Sequence, residues 1–106
     1  MEDRRAARKR AREVLIVLTN VLPVPFPVRL RWRKLEGFGE SLVSSKKDGT
    51  RSATINLRSS MDPDLAAEVL VHEYAHLLAW DYHGRKQDAV WGIAYSEAYS
   101  VVSGEH

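Results

Sequence analysis

Asp62-Pro63-Asp64-Leu65-Ala66-Ala67-Glu68-Val69-Leu70-Val71-His72-Glu73-Tyr74-Ala75-His76-Leu77-Leu78-Ala79-Trp80 is the stretch on which the fold turns. Asp62 suits an N-cap, because its carboxylate can accept from the unpaired N–H groups of a first helical turn. Pro63 suits the first helical position, where its missing N–H costs nothing. The apolar residues that follow carry the predicted helix to about Trp80 or Tyr82, and Gly84 ends the stretch.

Outward from this helix the chain divides into short elements. Downstream, Arg85-Lys86-Gln87 reads as a polar connection. A last helix is predicted near Asp88 to Val102, with Val90, Trp91, Ala94, Tyr95, Ala98, Val101 and Val102 as its apolar residues and Gly104 as its stop. Upstream, Ser52 to Leu57 reads as a third strand with Ala53, Ile55 and Leu57 on one face, entered through a Lys47-Asp48-Gly49 hairpin turn. Glu40 to Ser45 is the second strand, after a turn marked by Gly37 and Gly39. Val28-Arg29-Leu30-Arg31-Trp32-Arg33 alternates apolar and basic residues, the two-residue period of a half-buried first strand. Pro23, Pro25 and Pro27 hold an extended connector, and before them Asp3 to Leu22 reads as a helix. Its apolar stripe is Ala7, Ala11, Val14, Leu15, Leu18, Val21 and Leu22. The expected fold is α+β and fills residues 1–106 as one domain: a helix, a three-stranded antiparallel sheet and two further helices.

His72, Glu73 and His76 have the spacing HExxH inside the central helix. Residues four apart lie one turn apart on one face, so both imidazoles can reach one ion at about 2.0–2.1 Å. The offset of one residue sets Glu73 beside that ion rather than on it, where it can serve as general base. With no cysteine in the chain, a transition metal must be held by His, Asp or Glu, and zinc is the expected cofactor. The competing reading is an amphipathic helix with two solvent-facing histidines.

A catalytic zinc usually has three protein ligands. Glu97, in Tyr95-Ser96-Glu97-Ala98-Tyr99, is the foremost candidate for the third, with Asp88 and His83 as alternatives. A carboxylate on a second helix at this separation resembles the glutamate-zincin arrangement of thermolysin-like peptidases. The stretch from the hairpin strand through His72-Glu73-Tyr74-Ala75-His76 to Gln87-Asp88-Ala89-Val90-Trp91 resembles the SprT-like metallopeptidases, short phage-encoded relatives included, over about residues 50–102. Those carry a third histidine followed one turn later by a large aromatic; Trp91 matches the aromatic, and Gln87 stands at the histidine's position. Metzincins would place a third histidine where this chain has Tyr82, after a glycine turn that Ala79 replaces.

The resemblance implies a minimal zincin fold and peptide-bond hydrolysis, with Glu73 as base and zinc on His72, His76 and Glu97. It also implies that an edge strand beside the helix binds extended substrate by strand addition, a role that Ser52 to Leu57 is placed to take; the competing reading of that stretch is a plain core strand. Tyr82, Tyr95 and Tyr99 are candidate electrophiles. The alternative is an inactive zincin-fold module that keeps its metal for stability and binds protein or nucleic acid; such a module would have no need of Glu73.

Apolar content of 44% and charged content of 28% suit a globular domain, and the net charge of +2 is too small to imply a nucleic-acid partner by itself. Arg4, Arg5, Arg8, Lys9, Arg10 and Arg12 do form a basic cluster on the first helix. It reads either as a solvated face or as a weak nucleic-acid contact. Followed by Val14 to Leu18, the cluster imitates a signal peptide, but Thr19, Asn20 and the prolines interrupt the pattern. The expected location is cytoplasmic, and no stretch nears the ~20 apolar residues that span a bilayer.

Overall fold

Ala7, Ala11, Val14 and Leu18 are buried along one side of the first helix, α1 (Glu2–Val21), and pack closely on the central helix, α2 (Pro63–Leu78). The computed structural model describes residues 2–82 and 85–104, with residues 2, 3 and 85–87 described as backbone only. Small side chains on α1 let two helix backbones approach, so α2 is clasped between α1 and α3 (Arg85–Ser103) on one side and the sheet on the other. The sheet consists of β1 (Val28–Arg33), β2 (Gly39–Ser45) and β3 (Arg51–Arg58).

α2 begins as the sequence predicts. Asp62 accepts a hydrogen bond from the Leu65 N–H at 2.9 Å, and Pro63 opens the helix. Its inner face buries Leu70, Val71, Tyr74 and Leu77. Tyr74 is wholly buried, and its hydroxyl donates to the Leu22 carbonyl at 2.6 Å, joining α2 to the end of α1. The Lys46–Thr50 hairpin also forms as expected, with Gly49 at φ +89° and Asp48 Oδ1 accepting from the Thr50 N–H.

The sheet departs from expectation in its order. It is mixed rather than antiparallel, with strand order β1-β3-β2: β3 runs parallel to β1 and antiparallel to β2. The physical reason lies in β3 itself. Ala53, Ile55, Asn56 and Leu57 are buried, whereas β1 and β2 alternate half-buried and exposed residues. The strand with least exposed surface takes the centre, where both of its edges are paired. β3 therefore has no free edge for strand addition, and β2 is the edge strand beside α2.

The other differences are at element ends. Arg85-Lys86-Gln87 forms the first turn of α3 rather than a connection, and α2 stops at Leu78, with Trp80 and Tyr82 in the turns that follow. No helix among the described residues is long and apolar enough to cross a membrane.

Candidate metal and catalytic site

His72 and His76 project from the side of α2 that faces α3, and their ring centres lie 5.0 Å apart at an interplanar angle of 74°. Two imidazoles sharing one tetrahedral ion at about 2.0–2.1 Å would have ring centres about 5 Å apart, so the separation of the pair is compatible with a shared ion. Burial lowers the His76 pKa; the neighbouring His72 adds to that effect and the Glu73 carboxylate opposes it. A lowered value favours the neutral imidazole, the form that binds metal.

Trp91 and Tyr95 of α3 close the other side of this pair. The Trp91 ring lies 5.1 Å from His72 and 5.3 Å from His76, and Tyr95 stacks on Trp91 at 5.3 Å and reaches His72 at 6.1 Å. The Trp91 Nε1–H is buried without a hydrogen-bond partner among the described residues. Tyr99 continues the aromatic row at 6.4 Å from Tyr95.

Glu73 contacts β2. It is only 8% exposed, and its Oε1 accepts a 2.7 Å hydrogen bond from the Ser41 hydroxyl. This approach depends on Gly39: a Cβ there would stand 2.8 Å from Val69 Cγ1, 3.2 Å from the Asn56 carbonyl and 3.3 Å from Glu73 Cγ. An open cavity of about 390 Å³ runs along the junction, lined by Phe38, Gly39, Leu65, Glu68, Val69, His72, Glu73 and Tyr95. A polar, nearly buried carboxylate and an exposed histidine thus share one cleft with an edge strand.

The structure brings His72, Glu73 and His76 together but not Glu97. Glu97 is exposed and lines a separate groove with Val21, Leu22, Ser96, Ser100 and Val101. At 100° per residue it lies about 120° around α3 from Trp91 and about 160° from Tyr95, the residues that face the histidines. Asp88 lies about 60° from Trp91, nearer the facing side. His83 is outside the described residues, and the side chain of Gln87 is likewise not described. Among the described residues, no group of three or more His, Asp or Glu side chains stands ready to hold a metal ion. Of the candidate electrophiles, Tyr95 lines the cavity, while Tyr82 and Tyr99 are exposed and do not line it.

Sequence reading treated Gly39 only as a turn marker and did not single out Ser41. A signal was present: Gly39, Ser41 and Val43 share the inward face of β2, and two of the three are not core residues. Comparisons with family models, curated proteins and solved structures find no match to this chain.

Proposed function

We propose that this chain is a zinc-dependent peptidase, with His72 and His76 as ligands and Glu73 as general base. The observation that carries the reading is the 5.0 Å pairing of the two imidazoles, with a nearly buried carboxylate from the intervening position lining one cleft with His72. Zinc held there supplies Lewis acidity and makes water acidic near neutral pH. The chain's own part is to hold the Glu73 carboxylate where it can take a proton from the attacking water and return it to the leaving amine. The peptide lies in the Phe38–Tyr95 cavity and pairs with the free edge of β2, which takes the role first assigned to β3. The Tyr95 hydroxyl is the donor for the developing oxyanion.

Purified protein is expected to carry near one zinc per chain, lost in His72→Ala and His76→Ala. Glu73→Gln is expected to keep the zinc and lower kcat on a denatured-protein substrate about 10²–10⁴-fold. Activity surviving in Glu73→Gln would remove Glu73 from the role of base. Because Glu97 stands on another side of α3, Glu97→Ala is expected to leave zinc content unchanged. The third ligand then falls to Asp88 or His83, whichever alanine variant loses metal.

The alternative, a zincin-like module that binds nucleic acid, draws on a different observation. Ten of the sixteen Lys and Arg residues but only three of the fourteen acids lie in residues 1–34, so that third carries +7 and the rest −5. Arg4, Arg5, Arg8, Lys9 and Arg12 line one groove on α1. If this face contacts nucleic acid, duplex binding should fall steeply between 50 and 200 mM salt, as about one counterion is released per phosphate neutralised. Binding that is absent at 50 mM salt would leave the arginines as a solvated face.

A further inference from the structure

We infer that Ser41 is a positioning residue for Glu73, fixing its carboxylate for proton transfer; the inference rests on the peptidase reading of the site. The Ser41 hydroxyl lies within hydrogen-bond distance of two acceptors on one residue, Glu73 Oε1 at 2.7 Å and the Glu73 carbonyl at 2.9 Å. A serine has one hydroxyl proton, so it cannot make both bonds at full strength together. With Glu73 ionised, the shorter contact to the carboxylate is charge-assisted and the stronger of the two.

That arrangement leaves one carboxylate oxygen held and the other without a hydrogen-bond partner among the described residues, the division of labour a general base needs. A purely structural tie between β2 and α2 would need only the bond to the carbonyl.

The surrounding packing is built for this contact. Ser41 is half-buried on the inward face of β2, between Gly39 and Val43, opposite Ile55 of β3. Gly39, two residues before it, has no Cβ where one would meet Val69 and Glu73, so the strand can lie close against α2. The serine comes from 32 positions away in sequence, and it is the described side chain that hydrogen-bonds to Glu73.

The experiment compares wild type, Ser41→Ala, Ser41→Thr and Glu73→Gln for zinc content, steady-state kinetics on a peptide substrate, and crystallographic placement of the Glu73 carboxylate. Ser41→Ala is expected to retain zinc, lower kcat about 10–100-fold and leave KM within about twofold, the range typical when a supporting hydrogen bond is removed. Its Glu73 side chain should spread over more than one rotamer. Ser41→Thr keeps the hydroxyl and should recover most of kcat and the single rotamer. Unchanged kcat with a single Glu73 rotamer in Ser41→Ala would overturn the inference, as would failure of Ser41→Thr to recover either. Loss of the peptidase reading is seen separately, as wild-type activity that is absent or indifferent to Glu73→Gln. In that event the Glu73 rotamers alone decide whether Ser41 positions the carboxylate.

Discussion

Glu73 and Tyr74 are neighbours on α2, yet they lie on two faces of the helix with opposite physical logic. Tyr74 is wholly buried in the core, and its one polar atom is used up on the Leu22 carbonyl. Burial raises its pKa to about 12, so it is an inert phenol at any ordinary pH. Glu73 is nearly as buried, but it lies beside a cavity and holds a single hydroxyl on one oxygen. The inner face spends its polar groups to lock α1 onto α2. The other face leaves polar capacity unspent among the described residues, in Glu73, His72 and His76. Unspent capacity in a cleft is the mark of a site rather than a core.

The largest test of this contrast is the pair Glu73→Gln and Tyr74→Phe, measured for both activity and stability. Glu73→Gln should cost orders of magnitude in kcat with little change in Tm, and Tyr74→Phe should do the reverse. A Tyr74→Phe protein that folds normally but loses most of its kcat would erase the distinction between the two faces. Next in size is Gly39→Ala, whose Cβ meets the β-branched Val69 at 2.8 Å and the Asn56 backbone at 3.2 Å. Forcing that contact should destabilise the fold by about 1–3 kcal/mol in urea unfolding. Because the strand must move off α2, activity should fall by more than the loss of folded protein explains.

The smallest effect is on the buried face. Removing the Tyr74 hydroxyl should cost about 1–2 kcal/mol, since it leaves the Leu22 carbonyl unpaired. The pH dependence follows from the raised pKa. The folded chain keeps the phenol proton to about pH 12, while the unfolded chain releases it near 10. The stabilising contribution is therefore whole below pH 10 and shrinks as pH rises toward 12. Alkaline unfolding of wild type should show this loss, and the Tyr74→Phe protein should lack it.

The legible part of the candidate site was its local part. His72, Glu73 and His76 share one helix, and a four-residue spacing on a capped helix fixes which side chains neighbour one another before any tertiary contact forms. Ser41 and Gly39 were not legible as site residues because their meaning depends on which strand lies against α2. Alternation in β2 gives an inward face; it does not say what that face meets. Glu97 shows the same limit from the other side. Its distance along the chain suits a third ligand, but the rotation of α3 is set by Ala94 and Ala98 packing inward, and that turns Glu97 toward the end of α1.

The sheet divides the same way. Strand positions, the Gly49 turn, the Asp62 cap and the alternating directions of the three strands follow from hydrophobic period and turn chemistry, which act over a few residues. Strand order does not. Whether β3 lies at an edge or in the centre depends on the total burial of three strands and two helices, and only the assembled chain can minimise exposed apolar surface and unpaired backbone together. By itself, then, the sequence determined the α2 motif and the elements around it. The tertiary structure decided that β2, carrying Gly39 and Ser41, is the strand that completes the cleft, because close packing needs a missing Cβ at one place and a hydroxyl at another.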